Sequence, residues 1–258
     1  MAILLDIDGE DGGLLAGGSP WEWTSIDNDG GTNDFSLSEA SAKHGTYGYQ
    51  AVLAEDSGDA QGRADFTETA DVYLRFSFEV DVWAGAEDEY IPIAILLNSS
   101  ANTTMKFILH RTGTAGWCGY TVQVNNGAST IINKRDIDVF QIGVTYCVEI
   151  HYLSDATVGG AEVWINGYSD ESSFSSNTSA YVSDELRIGI YEGYIDAGDT
   201  FYFDDIIVAD AYIGPLDATT TAAPTTTTTT LAPGEATVPI ISSDGIHSVI
   251  FGGQIING

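Results

Sequence analysis

Along residues 1–217 the side chains alternate apolar and polar with a period of two, and an uninterrupted 3.6-residue period never lasts a dozen residues. Successive side chains of a strand point to opposite faces, so this alternation confines the chain to half-buried strands and leaves no place for a packed helix. In residues 71–83 (DVYLRFSFEVDVW), Phe76, Phe78, Val80 and Val82 take one face, and Arg75, Ser77, Glu79 and Asp81 take the other. Residues 144–152 repeat the pattern, with Val144, Tyr146, Val148, Ile150 and Tyr152 opposing Thr145, Cys147, Glu149 and His151. The same reading predicts strands over 47–54, 91–97, 105–111, 119–125, 161–167, 184–191 and 200–209. Asn125-Asn126-Gly127 and Asn166-Gly167 supply the positive-φ residues of tight hairpins. Many short strands joined by turns, each with one apolar face, predict an all-β, antiparallel two-sheet sandwich.

Charge decides which partners such a sandwich can have. The chain carries 38 Asp and Glu against 8 Lys and Arg, a formal charge of -30. Phosphate backbones demand clustered cations, so nucleic acid is excluded as a partner. The last basic residue is Arg187, which leaves everything beyond it without a cation for anionic lipid. No apolar run reaches the length of a membrane span, so no membrane partner is expected. Thirteen Tyr, ten Phe and five Trp within a hydrophobic content of 43% are ample for a packed core, so the acidity belongs to a folded surface rather than to disorder. The N-terminus MAILLDIDGEDGG lacks a positive n-region and meets Asp6 early, which argues against an ordinary secretory signal and for synthesis in a cytoplasm. In that reducing setting Cys118 and Cys147 are expected as buried thiols rather than as a bridge.

Residues 218–234 (ATTTAAPTTTTTTLAPG) hold no charge and nothing to pack, and read as an extended spacer. Beyond it, residues 235–258 carry Val238, Ile240, Ile241, Ile246, Val249, Ile250, Phe251, Ile255 and Ile256. Twenty-four residues rarely bury a core of their own, and two strands alone are marginal in water. This segment is therefore expected to bury against another polypeptide, by strand addition or by intertwining with identical copies as a homo-oligomer. The organisation predicted is a β body over 1–217, a linker over 218–234 and a docking or oligomerisation segment over 235–258.

Three stretches of the body carry a family resemblance. They are KHGTYGYQAVLAED (43–56), TYCVEIHYLSDATVGGAEVWINGY (145–168) and LRIGIYEGYIDAGDTFYFDDIIVADAYIGP (186–215). Each resembles the corresponding strands of concanavalin A-like, laminin G-like jelly rolls, and together they cover most of residues 1–217. The resemblance implies a jelly-roll sandwich with a concave and a convex sheet, a fold that hosts lectins, glycosidases, lyases and purely structural modules. An acidic β body, a low-complexity tether and a short docking element also resemble the plan of bacteriophage decoration and fibre-like proteins. On that resemblance the chain is expected to be a non-enzymatic virion structural protein, displayed on a phage capsid or tail and in contact with other virion proteins. The alternatives are a module binding host-surface glycans and a polysaccharide-degrading enzyme.

Catalytic residues are not expected. Glycosidases of this fold place carboxylates as Glu-x-Asp-x-x-Glu or Glu-x-Asp-x-Glu on one strand face, and here Glu79 and Asp81 are followed by Trp83 and Ala84 where a second Glu is required. His44, His110, His151 and His247 lie at no zinc-ligand spacing. Asp6 to Asp11 and Asp27 to Asp29 offer hard oxygen ligands suited to calcium, without matching an EF-hand loop, and read first as acidic turns. No metal site and no other cofactor is expected. For sugar stacking the candidates are Trp83, Tyr90, Trp117, Tyr191 and Tyr194, with Trp164 as a further aromatic, whereas Trp21 and Trp23 read as residues closing one end of the core.

Overall fold

A strand with one apolar face is stable only when a second layer covers that face. The computed structural model describes residues 1–10, 23–28, 32–55, 58–84, 89–125, 130–179, 181–191, 197–215, 250–251 and 254–255. Its second layer is a second antiparallel sheet. The chain divides into two compact units, Met1–Asp217 and Ala218–Gly258. In the first, the strands in chain order are β1 (Ile3–Ile7), β2 (Ser25–Asn28), β3 (Asp34–Ser38), β4 (Gly48–Val52), β5 (Ala60–Thr69), β6 (Asp71–Val82), β7 (Tyr90–Leu97) and β8 (Thr103–Arg111). They continue as β9 (Trp117–Asn125), β10 (Thr130–Gln141), β11 (Tyr146–Leu153), β12 (Gly159–Ile165), β13 (Tyr168–Ser176), β14 (Ser183–Ile190) and β15 (Thr200–Ala209). In the second unit β16 (Ile250–Phe251) pairs antiparallel with β17 (Gln254–Ile255).

One sheet runs β13-β12-β11-β6-β15-β4-β3 with β1 added onto β15, and the other runs β10-β9-β8-β7-β14-β5-β2. The last two long strands enter the middle of the two sheets, β14 between β7 and β5, and β15 between β6 and β4. The sandwich is thus a jelly roll closed by non-local pairing, as the alternation and the resemblance implied.

The facing surfaces interdigitate aromatic rings. Phe76 meets Phe107 with centroids 6.0 Å apart, and Phe78 meets Phe140 edge to face at 5.0 Å. These rings are at most 1% exposed, and burying each stabilises the fold by about 1.5–3 kcal/mol. Trp23, 3% exposed, stands edge-on to both Phe35 (5.4 Å) and Tyr49 (5.3 Å). Its ring leaves no room at Gly62, where a Cβ would lie 2.6 Å from Trp23 Cδ2. Trp21 lies outside the described residues. The turn between β12 and β13 uses Asn166 (φ +50°) and Gly167 (φ +82°), as the Asn-Gly pair predicts. Asn126-Gly127 lies outside the described residues.

Several positions depart from simple alternation. Val82, expected in the core, ends β6 and is 44% exposed, and Val144 precedes β11 and is 37% exposed. Conversely Arg75 and Glu149, on the polar face of β6 and β11, are 8% and 3% exposed. They are covered by residues 212–215, which cross this face as a strap. The Glu149 carboxylate accepts the N–H groups of Ile213 (2.7 Å) and Gly214 (2.9 Å), and Arg75 Nη1 donates to the Gly214 carbonyl (3.1 Å). Tyr212 packs on Trp164 at 5.2 Å, and Pro215 sits over the Gly167 turn. Cys118 is buried and Cys147 half-buried, both as free thiols, and burial pushes the Cys118 thiol up to about 12.

Candidate functional site

On the seven-stranded sheet, the alternation that turns Ala60, Ala64, Met105, Phe107, Leu109, Tyr120, Val122, Leu186 and Ile188 into the core turns their neighbours outward. Strand order then sets those neighbours side by side. Arg63 on β5 pairs in register with Arg187 on β14, Arg187 with Ile95 on β7, Ile95 with Lys106 on β8, and Lys106 with Gln123 on β9. Three basic residues therefore lie on one transverse row, with Arg63 and Lys106 three strand spacings, about 14 Å, apart. A parallel row holds Tyr90, His110 and Gly119, and a third holds Pro92, Ile108 and Thr121.

The row is held in place by a buried carboxylate. Glu185, whose side chain is 6% exposed, accepts from Arg63 Nη2 (2.9 Å) and Arg187 Nε (2.6 Å). Asp65, half-exposed at the rim, lies 3.4 Å from Arg63 Nη2. Asp184 beside them has its carboxyl raised, by burial first and then by the charges of Glu68, Glu185 and Asp65. At the other side Tyr191 follows β14, donates its N–H to the Pro92 carbonyl (3.2 Å), and has Lys106 Nζ 5.4 Å and Arg187 Cζ 5.6 Å from its ring centroid. Such cation–π contacts contribute about 0.5–1 kcal/mol each at exposed positions. His110 Nε2 is hydrogen-bonded to Thr121 Oγ1, and its ring stands 6.3 Å from that of Tyr90.

This face collects three of the aromatics proposed for sugar stacking. Tyr90 is 39% exposed, while Trp117 and Tyr191 are half-buried. Trp83 is a correction: it is 5% exposed and packs against Phe201 at 5.8 Å, because residue 83 turns back into the sandwich after β6, so it offers no face to a sugar. Tyr194 lies outside the described residues. Trp164 stands on the other sheet, beneath Tyr212. Sequence reasoning missed Arg63, Lys106, Arg187, Glu185, His110 and Gln123. The one signal for the cations was that in a chain with 8 Lys and Arg, three occupy polar positions of alternating strands.

The glycosidase-like carboxylates lie elsewhere, on the outer face of the eight-stranded sheet. Burial raises the Glu79 carboxyl, but hydrogen bonds from Lys43 Nζ and Thr145 Oγ1, both at 2.7 Å, outweigh it and hold the group below its ordinary value. Asp81 accepts from the Tyr202 hydroxyl at 3.0 Å.

Of the residues considered for calcium, Asp8, Glu10 and Asn28 are engaged within the fold. The Glu10 carboxylate accepts the N–H groups of Thr46 (2.6 Å) and Tyr47 (2.8 Å), Asp8 accepts from the Glu10 N–H, and Asn28 Oδ1 accepts from the Phe35 N–H. Asp11 and Asp29 lie outside the described residues. A regular last strand would send Asp204 and Asp205 to opposite faces, and the structure corrects this. Asp205 has φ +53°, and the β15–β6 register shifts between Asp204 and Ile207, a bulge that turns both carboxylates outward. With His44 their ligand atoms lie within 4.8 Å of one another. Asp204, 1% exposed, takes the N–H groups of Lys43 (2.6 Å), His44 (2.9 Å) and Asp205 (2.8 Å), yet burial pushes its carboxyl up to about 6. His44 Nδ1 is bonded to Asp205 Oδ2 at 2.6 Å. Donors already bonded to one another, one of them an imidazole nitrogen, do not match the six to eight oxygens of calcium.

Of the attachment residues, Val238, Ile240, Ile241, Ile246, Val249 and Ile256 lie outside the described residues, and Ile250, Phe251 and Ile255 are described only as members of the short β16–β17 pair.

No family model matches the sequence, and no curated protein matches it. Solved structures do share the sandwich. The cellulose induced protein Cip1 superposes with a TM-score of 0.56 at 18% identity over 81% of this chain and 98% of that one. Alginate lyase vAL-1 from Chlorella virus gives 0.56 at 12% identity over 81% and 100%. The receptor binding domain of the botulinum neurotoxin C/D mosaic serotype gives 0.54 at 14% identity over 82% of this chain and 48% of that one. At these identities the likeness shows what the two sheets and their connectivity show: residues 1–217 form a jelly-roll β sandwich.

Proposed function

We propose that the protein is a non-enzymatic display module whose jelly-roll body binds a glycan on the outer face of its seven-stranded sheet. The observation that carries this reading is the placement of Tyr90, Trp117 and Tyr191 on one sheet face together with His110, Thr121 and Gln123. Aromatic rings supply stacking surfaces for sugar rings and the Gln123 amide supplies directional hydrogen bonds, while Thr121, 2% exposed, holds the His110 ring in place. The solved structures of the same fold include a cellulose induced protein, an alginate lyase and a receptor binding domain, which is compatible with a saccharide ligand. Binding rather than cleavage is favoured because the glycosidase pattern lacks its second Glu, with Trp83 and Ala84 standing there instead, and Glu79 is itself engaged by Lys43 and Thr145. A glycan array probed with the full chain tests the reading, and Tyr191→Ala and Tyr90→Ala should abolish any signal. Absence of binding to every saccharide sinks it, and polysaccharide cleavage lost on Glu79→Gln would replace it with the enzymatic reading.

A second observation bears on attachment. The strap 212–215 completes the body immediately ahead of the Thr-rich spacer, with Glu149 and Arg75 holding it down. The apolar C-terminal segment, residues 235–258, is the part of the chain proposed to dock. The assembly that fits this layout is a phage virion, with the body projecting from capsid or tail and the segment meeting other virion proteins or further copies of this chain. Deleting Glu235 to Gly258 should release a folded body from particles, and particles that retain the truncated chain contradict the attachment.

A further inference from the structure

On the outer face of the eight-stranded sheet we infer a second binding site, an aromatic band flanked by Asp71 and Glu162, whose ligand is a cationic saccharide: an oligomer of amino sugar with free ammonium groups. This site and the one around Tyr191 lie on different sheets, so neither reading depends on the other. Four neighbouring strands build the band. In register, Tyr73 on β6 faces His151 on β11, His151 faces Glu162 on β12, and Glu162 faces Ser172 on β13. The Tyr73 and His151 rings stack at 4.1 Å with 6° between their planes. Gly160 puts no side chain on β12 opposite Phe174, and the Phe174 ring reaches to within 5.1 Å of His151. On the other side Trp164 stands 6.4 Å from Tyr73 and 5.2 Å from Tyr212 of the strap.

From β6 to β13 the band spans three strand spacings, about 14 Å, which suits several linked rings rather than one. It is open to solvent: Tyr212 is 44% exposed, and Tyr73, His151, Trp164 and Phe174 are half-buried. The charge beside it is negative. Asp71, its side chain 50% exposed, bonds His151 Nε2 through Oδ1 (2.7 Å), a bond the ring keeps in either protonation state, and Glu162 Oε1 accepts from the Ser169 hydroxyl (3.0 Å). Among the described residues, Asp71 Oδ2 and Glu162 Oε2 have no hydrogen-bond donor. Arg75 does not offset them, because it is buried under the strap beside Glu149. Burial, then the charges of Asp71, Glu149 and Glu162, raise the Tyr73 hydroxyl, and burial, then Glu149, Cys147 and Glu162, raise that of Tyr212. The rings thus stand in a negative potential that a cation relieves, and a formal charge of -30 draws polycations to the body. A sugar ring lays its C–H face on an aromatic ring, and its ammonium meets ring faces and carboxylate oxygens. Ser169 and Ser172, both exposed, offer hydroxyls to its hydroxyls. A basic peptide fits less well, because β6, β11 and β12 are interior strands paired on both sides and leave its backbone groups without partners.

The test is calorimetric titration of the full chain, in a buffer acidic enough to keep amines protonated, with three probes: a glucosamine hexamer, the same hexamer N-acetylated, and a lysine hexapeptide. The glucosamine hexamer should bind, and the acetylated form, which keeps the rings and loses the charge, should bind about tenfold more weakly or less. The peptide should bind more weakly than the glucosamine hexamer. Glu162→Gln and Asp71→Asn each keep an acceptor for the internal hydrogen bond and remove the charge. Each should weaken binding of the glucosamine hexamer about tenfold, the value of one charge-assisted hydrogen bond, and leave the acetylated probe unaffected. Glu162→Gln carries the test if Asp71→Asn lowers the melting temperature. Tyr191→Ala, on the other sheet, should change nothing. No binding of the glucosamine hexamer, equal affinity for the two hexamers, or tightest binding of the peptide overturns the inference and leaves the glycan reading of the seven-stranded sheet standing. So does hexamer binding that both carboxylate variants leave unchanged, or that Tyr191→Ala removes.

Discussion

Replacing Glu149 with Ala is the sharpest probe of how the body is closed. The side chain is 3% exposed and holds two backbone N–H groups of the strap, while Arg75, 8% exposed, reaches the Gly214 carbonyl beside it. Alanine removes a charged acceptor from two backbone donors. Losing two hydrogen bonds to a charged group costs about 3–5 kcal/mol in total. For a body of 217 residues, a loss of 1 kcal/mol lowers Tm by about 2–4 °C, so the expected fall is about 6–20 °C. Calorimetry measures that fall, and hydrogen exchange measures its location: the Ile213 and Gly214 amides should lose protection while the amides of β8 keep theirs. Burial raises the Glu149 carboxyl, against the opposing pull of the Ile213 and Gly214 N–H groups and of Arg75. Its ionised form therefore carries a desolvation cost, and Glu149→Gln, which keeps one acceptor, should lose about half as much as Glu149→Ala. A Glu149→Ala chain that melts within about 2 °C of the parent, a shift under about 1 kcal/mol, with both amides still protected, refutes the strap.

Three further outcomes follow from the same packing. The Asp204 carboxyl stands at about 6 against an ordinary 3.8, so the folded chain holds that proton more tightly than the unfolded one. The stability this contributes is full below pH 3.8 and is lost as pH rises through about 6. The loss approaches about 3 kcal/mol, and the pH dependence of unfolding in Asp204→Asn should be flatter by that amount between these limits. Gly62→Ala should cost about 1–3 kcal/mol by overpacking against Trp23, whose Cδ2 stands 2.6 Å from the new methyl, as read by urea denaturation. A thiol reagent at pH 8 should modify Cys147 and spare Cys118 in the native chain, because burial pushes the Cys118 thiol up to about 12; equal labelling of both would contradict its placement in the core.

How much of this was legible beforehand differs from element to element. Strands β6 and β11 were readable because Phe76, Phe78 and Val80, or Val148, Ile150 and Tyr152, need only their own neighbours to declare a face. The Asn166-Gly167 turn was readable because its backbone angles are a property of those two residues. The burial of Glu149 was not, since the strap that covers it lies 64 residues further on. Nor was the bulge at Asp205: whether a residue slips out of register depends on the partner strand, here β6, and not on the composition of β15. Trp83 was misread for a similar reason, as its neighbour Phe201 comes from the strand that β6 pairs with.

The candidate site shows the division most sharply. Aromatic candidates could be named individually from the chain, but Tyr191 joins Tyr90 and Trp117 on one face only because β14 enters between β7 and β5. The same insertion aligns Arg63, Arg187 and Lys106, which are 124 and 81 residues apart along the chain. The amino-acid sequence by itself determined that the body is a layered β structure with an acidic surface and that a Thr-rich stretch separates it from an apolar end, because periodicity, charge and chain stiffness are local properties. The tertiary structure alone decided which polar residues are buried, which carboxylates meet and which cations stand together, because those outcomes depend on pairing between distant strands.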